Sequence, residues 1–513
     1  MKRTFAVIGF SFMLGLVACN FVFGNKSAYL TLAALALSAI FLSVKKLRAK
    51  KELCCLFVSL FISSAVFTAV NSYVYTPTVR YADTRCDIEA TVLDTPVISS
   101  GGNYGYLIRT NTVNGEKTSI RMRLYVPYDI SAEPYDEISF TSYPFIIGSN
   151  DKGTYLHFRS RGTYLGVYTK YDVLIHTPDK KPLMSIFPIL KAQSMKIIKH
   201  FLGEKYAGFS IGILFGDKIL IEADEKESFQ RVGMTHIMAV SGLHMSVWVY
   251  GLYRLLKRAH VTEGRASFIS ILFSFCVVCF SSFSVSVIRS MIMTCVYLSA
   301  GLFKRRSDAL NSLGLAIFLM CIVNPFVVCD VSFLLSVFST LGIILASGEF
   351  SKLKNTVKHT KIKSALDIMP IKYLTESLLL SVSASAFTYP IAVGIFGGIS
   401  IVSPIVNLLV IPALTPCLLL SGVITMLPSF ALLMKIVRHF LMLFENYIFF
   451  FVESFAWLPF SYVQTENLVF CVVIPVIAAT VLWILYSIKE KKFNVTAFSA
   501  AASVSIIAIF YYL

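Results

Sequence analysis

The chain has 513 residues, of which 56% are hydrophobic and 15% charged, with a net charge of +17. Its apolar runs are long enough to cross hydrocarbon, which excludes a string of soluble domains and identifies a polytopic membrane protein. The positive excess does not mark a nucleic-acid binder by itself. It is gathered around Lys45–Lys51, Arg254–Arg265, Lys304–Arg306, Lys352–Lys363 and Lys489–Lys492. Each cluster sits in a short loop beside an apolar run, the pattern that holds basic loops on the inner side.

Residues 4–24, 28–44 and 52–70 read as three membrane helices (1–70), the first an uncleaved span behind Lys2 and Arg3. The basic loop 45–51 places the amino terminus inside, and the third helix then delivers residues 71–185 outside. That stretch holds twelve basic and twelve acidic residues. Runs such as Asp87–Leu93 and Ser119–Val126 alternate polar with apolar, and Asn114-Gly115 is a hairpin signal. A small all-β barrel or sandwich is expected. Its tyrosines, among them Tyr104, Tyr106, Tyr125, Tyr143 and Tyr164, are read first as strand formers and second as a stacking platform. Of eleven cysteines only Cys86 lies in this polar stretch, so no disulfide framework is expected; Cys276-x-x-Cys279 reads as packing.

Residues 186–205 mix apolar residues with Lys191, Lys196 and Lys199 and read as an amphipathic interfacial helix. Within 206–513, the segment 206–221 is short and interrupted by Gly216-Asp217-Lys218. Spans follow near 232–256, 267–283, 284–302, 309–325, 330–347, 375–397, 400–426, 430–455, 468–487 and 494–513. The total is about thirteen, and with that count every basic cluster falls on the same side.

The chemistry gathers in Gly233–His244. On a continuous helix Gly233, His236, Val240 and His244 share one stripe, with Ser241 about 60° away. The Ser241-Gly242 pair is a place for that helix to break. Polar groups at such depth are costly unless they face partners or water. Two readings follow, the lining of a hydrated path and helix–helix packing, with lining preferred. Arg289, if buried, needs a partner, and Asp330 is the expected one. Asp308 and Asn311 read as a helix cap. Asn407, between Pro404 and Pro412, reads as a residue that satisfies backbone freed by a kink.

The order Gly216-Asp217-Lys218, Phe229, Gly233-x-Thr235-His236, Ala239-Val240-Ser241-Gly242-Leu243-His244, Arg289-Ser290, Asp330-Val331-Ser332-Phe333 and Ser403-Pro404 to Asn407 resembles the ComEC competence family over roughly residues 206–415. The resemblance implies a plasma-membrane channel for single-stranded DNA in natural transformation, with an extracytoplasmic OB-like domain at 71–185. It makes His236, Ser241, Gly242, His244, Arg289, Asp330 and Asn407 candidates for the path, with Gly216, Asp217 and Gly233 as motif positions. Implied partners are single-stranded DNA, membrane lipid, an extracytoplasmic DNA receptor, a separate nuclease and a cytoplasmic helicase-like ATPase; a homo-oligomer is compatible with it. Many members carry a carboxy-terminal metallo-β-lactamase-like domain, for which this chain shows no His-x-His-x-Asp-His motif. No metal, cofactor or catalytic residue is expected, and no nucleotide-binding loop is present. The alternatives are a transporter of another solute and an intramembrane serine hydrolase built on Ser241.

Overall fold

The computed structural model describes residues 3–43, 51–98, 102–149, 151–170, 173–218, 220–238, 240–356, 369–464, 467, 469–490 and 494–512. The chain is mostly helical, with one β-rich half-barrel between its third and fourth long helical runs. The half-barrel contains β1 (Cys86–Val92), β2 (Tyr104–Val113), β3 (Arg121–Val126), β4 (Glu137–Ser142), β5 (Pro144–Ile146) and β6 (Thr163–Tyr168). The period-two pattern decides which side each residue takes. In β1, Cys86, Ile88, Ala90 and Val92 face inward while Asp87 and Glu89 face out. Tyr106, Ile108, Met122, Leu124, Val126, Leu165 and Val167 complete the core. Each buried aliphatic contributes about 1.5–3 kcal/mol. The Tyr106 hydroxyl donates to Asp129, so its burial leaves no polar group unmet.

The order of pairing matters for function. β2 lies antiparallel between β1 and β3, and β3 pairs in parallel with β6. β4 pairs with β1 and β5 pairs with β6, both antiparallel. Only Tyr143 separates β4 from β5, so one nearly continuous run touches both the first and the last strand and curls the sheet. Asn114 and Gly115 both adopt positive φ, 53° and 79°, as the turn signal required.

Six helical stretches are long and apolar enough to cross a membrane: Thr4–Phe23, Lys51–Val79, Glu263–Phe280, Val285–Leu302, Leu374–Phe396 and Ser403–Met426. Shorter apolar helices occupy Ser27–Ile40, Ala309–Val323, Val331–Ser347 and Val495–Tyr511. Among the described residues this falls short of the expected thirteen spans. Two of the expected ones differ in kind: Gly242–Arg258 has 17 residues and gathers Arg254, Lys257 and Arg258 at its end, while Ala431–Ala456 carries Lys435, Arg438, Glu445 and Glu453 along its length. The basic residues at 45–50, 358–363 and 491–492 lie outside the described residues.

Two apolar clusters organise the helices. One joins Thr4–Ala18 to Ala309–Val323, Val331–Thr356 and Val495–Tyr512. Gly9 and Gly314 meet backbone to backbone there, and a methyl on either would overlap the other helix. The second cluster joins Ile186–Phe215, Ser403–Met426 and Ala431–Ala456. Ile186–Phe215 is one helical run broken at Gly203 (φ 75°, ψ 171°), close to the expected end of the interfacial segment. Within that segment Lys196 and Lys199 are exposed, while Lys191 turns inward. It is 5% exposed and pairs with Asp94 of the half-barrel at 3.2 Å and with Ser282 at 3.0 Å.

A second anchor ties the half-barrel to the helices. The Lys152–Ser160 helix sets Arg159 over the rings of Phe326 and Tyr75, at 4.2 and 4.7 Å. Beside it Asp330 accepts from Ser160 Oγ at 3.4 Å and faces Arg161 at 3.7 Å.

Candidate functional site

The motif stretch is not one helix. After Ala223–Arg231, held by a Glu222/Glu225 capping box, the chain turns at Gly233 (φ 72°) and runs irregularly to Ser241. The Gly242–Arg258 helix starts only then. The expected stripe of Gly233, His236, Val240 and His244 is therefore corrected, because His236 lies in the irregular segment and His244 in the first turn of the helix. The break expected at Ser241-Gly242 is present and longer than expected. Gly233 is required by its positive φ and by its neighbours, since a Cβ there would lie 3.0 Å from Ser400 and Ser403.

His244 closes this helix start. Its Nδ1 accepts from the Ser241 N–H at 2.8 Å and lies 2.9 Å from Ser241 Oγ. An Nδ1 that accepts a backbone N–H leaves the ring proton on Nε2. Nε2 is buried, and among the described residues it meets no partner. The Ser241–His244 contact is therefore a cap.

His236 keeps exposed surface in the irregular segment, within electrostatic reach of the buried His244. Around it the polar inventory is incomplete in one consistent way. Asn407 Nδ2 reaches Ser403 Oγ at 3.5 Å, but Asn407 Oδ1 and Ser400 Oγ are buried without protein partners among the described residues. This corrects the expectation for Asn407: it does not satisfy kinked backbone, although Pro412 and Pro416 do lie inside its helix. Buried polar atoms left unmet by protein are where water or a ligand completes the bonding.

Arg289 stands on the far side of the same helix start. It is 8% exposed, donates from Nε to Ser336 Oγ at 2.8 Å, and lies 3.3 Å from Ser290 Oγ. The expected Arg289–Asp330 pair is absent. Asp330 caps its own helix by accepting from Phe333 N–H at 3.0 Å and turns its other oxygen to Arg161. The half-barrel's helix thus claims the carboxylate that sequence reasoning assigned to Arg289. The cap expected at Asp308 is present, accepting from Asn311 N–H at 2.9 Å.

The Gly216-Asp217-Lys218 turn links this break to the half-barrel. Gly216 ends its helix in the left-handed conformation (φ 77°, ψ 12°), and a Cβ there would meet Val240 at 3.3 Å. Asp217 is within electrostatic reach of Arg123, and Lys218 of Arg161. The neutral total of the β stretch concealed a segregation of charge. Arg109 and Arg121 are directly paired across β2 and β3, and Arg123 follows two residues later on the same face. Among the described residues none of the three has a carboxylate in ion-pair range. Burial, and then the charge of Arg109, pull the Arg121 guanidinium below its ordinary value. Tyr125 and Phe145 stack beside them at 6.4 Å.

Sequence reasoning missed one buried acid. Glu445 is 0% exposed; its Oε1 accepts from Ser210 at 2.7 Å, Ser210 meets Ser421 at 3.0 Å, and its Oε2 has no protein partner among the described residues. The available signal was a carboxylate set between the apolar runs Leu441–Phe444 and Tyr447–Phe451.

A family model described as Competence protein matches residues 213–490, more than half of the chain. That range takes in the helix break, Arg289, Asp330, Asn407 and Glu445, and leaves out the half-barrel. ComE operon protein 3 of Bacillus subtilis (strain 168) is 24% identical over 311 residues, which are 60% of this chain and 37% of that protein. The chain therefore aligns with well under half the length of that relative. No solved structure matches it. With a matched region that contains the broken-helix motif and most of the buried polar groups around it, the chain belongs to the Competence protein family.

Proposed function

We propose that this chain is the conduit that passes single-stranded DNA inward across the bacterial plasma membrane during transformation. The observation that carries the reading is the exposed His236 in the irregular segment of a helix break inside a membrane protein, which we read as the lining of a wet path. Irregular backbone at membrane depth is stable only where protein or a wet cavity satisfies it. Uncharged imidazole, amide and hydroxyl groups offer hydrogen bonds without trapping a polyanion, as a lining for transit requires.

The half-barrel supports the same reading. Counting β4–β5 as one, its five strands follow the order of an OB fold, with the third and fifth strands parallel. The second and third strands of such a fold present nucleic-acid-binding residues, and here they present Arg109, Arg121, Arg123 and Tyr125. A strand held on that face is led to Lys218 and on to the break. On this reading the amino terminus is cytoplasmic and the half-barrel extracytoplasmic. A DNA receptor outside, a separate nuclease and a cytoplasmic ATPase would supply capture, strand separation and force. The similarity to a ComE operon protein supports this reading.

The test is accumulation of labelled DNA in the cytoplasm of cells carrying His236→Ala or His244→Ala, at unchanged membrane levels of the protein. Each variant is expected to lower accumulation at least about tenfold, the loss of about 1.4 kcal/mol along the path. Normal accumulation in both would remove the lining role.

A further inference from the structure

Among the described residues Arg289 is a buried cation without a counter-charge. It contacts Ser336 Oγ, Ser290 Oγ and Met293 Sδ, all neutral. A guanidinium has about five N–H donors, so further donors remain. Removing a cation from water costs several kcal/mol unless an anion answers it. Among the described residues no carboxylate comes within ion-pair range, and Asp330 is committed to Arg161.

Arg289 also sits against the positive end of a helix. Gly242 is the first residue of Gly242–Arg258, and a Cβ on it would lie 3.3 Å from Arg289 Nη2 and 2.7 Å from Ser290 Oγ. Glycine is what permits that approach. The N–H groups of Gly242 and Leu243 precede the first intrahelical bond, Met245 N–H to Ser241 O, and the helix dipole adds to their positive potential. Two residues on, His244 is 1% exposed and holds an Nε2–H donor with no acceptor. A buried cation with only neutral partners thus meets a helix start, and the same first turn carries a buried imidazole N–H with no acceptor among the described residues.

We propose that Arg289 and the first turn of Gly242–Arg258 form a station for one phosphate group within the membrane domain, and that it takes the phosphodiester of a single strand. The station deepens the conduit reading and rests on it for the source of the phosphate. Its geometry suits transit. One cation among neutral donors binds each phosphate in turn, whereas a row of cations would hold the strand.

The experiment uses the full chain purified in a phosphate-free detergent. Thermal unfolding midpoints are read with a short thymidine oligonucleotide, with inorganic phosphate and with short-chain phosphatidylglycerol, for wild type, Arg289→Gln and Gly242→Ala. The half-barrel arginines act alike in all three chains, so the differences read the station. The oligonucleotide is expected to raise the wild-type midpoint, and Arg289→Gln to lose at least about half of that rise. Without ligand, Arg289→Gln is expected to melt at or above the wild type, because an uncompensated charge has been removed. Gly242→Ala is expected to lose the rise with its arginine intact. An equal rise in Arg289→Gln overturns the station, as does a ligand-free midpoint well below wild type, which would make Arg289 structural. A rise with the lipid alone overturns the strand as its source. Loss of the rise alongside normal DNA accumulation in the same variant would keep the phosphate site and refute the path through it. The reverse result would keep the conduit and refute the station.

Discussion

At the scale of single residues, the membrane domain is defined by polar atoms the protein does not satisfy itself. His244 Nε2, Asn407 Oδ1, Ser400 Oγ and Glu445 Oε2 are all buried and unmet among the described residues. Three belong to the break and its neighbour helix; Glu445 is separate, facing Ser210 and Ser421 from its own helix. Ser421 spends its proton on the Cys417 carbonyl at 2.8 Å. Ser210 Oγ donates to Glu445 Oε1, an acceptor that a neutral side chain of the same shape also supplies. We expect Glu445→Gln, which keeps a donor and an acceptor in place, to fold and melt within about 1 kcal/mol of wild type. Glu445→Ala should cost about 1–3 kcal/mol by leaving the serines unmatched. Equal losses in thermal unfolding of the two variants would show that the carboxyl acts as a charge.

At the scale of elements, the half-barrel is held by its short Lys152–Ser160 helix, and that contact contains a titratable group. Burial lowers the His157 imidazole from 6.5 to about 4; Arg161 pushes the same way and Asp330 opposes both. The unfolded chain then binds the proton more tightly than the folded one between about 4 and 6.5. Stability therefore rises with pH through that window and is lost as the pH falls through it. The full effect is at most about 3 kcal/mol. Denaturant unfolding of the full chain at pH 7 and pH 4.5 should show a larger loss for wild type than for His157→Gln. An equal loss in both would remove His157 from the coupling. A second element, the 232–241 break, could be foreseen only in part. Glycines, serine and histidine in an apolar run announce an interruption, but its length depends on Ser400 and Ser403 lying against Gly233.

At the scale of the whole molecule, orientation follows from where the basic loops lie. Glu116, at the exposed hairpin of the half-barrel, and Lys304, in a basic loop between helices, should lie on opposite faces of the membrane. A cysteine at 116 is expected to react with a membrane-impermeant maleimide in intact cells, and a cysteine at 304 only after lysis. Labelling of both in intact cells would overturn the orientation. The two apolar clusters also divide the labour. The Gly9–Gly314 side packs backbone against backbone, while the other encloses Glu445.

Periodicity by itself determined the half-barrel's strands and its Asn114-Gly115 turn, most helix limits, the Asp308 cap and the place of the break. These follow from neighbours along the chain, where side-chain direction and backbone propensity are local. Tertiary structure alone decided who pairs with whom. Asp330 went to Arg161 and left Arg289 without an anion, Lys191 turned inward to Asp94, and three arginines from a neutral stretch came to one face. The physical reason is that a charge interacts with what lies within a few ångströms, and folding brings there residues distant in the chain, 97 positions for Asp94 and Lys191.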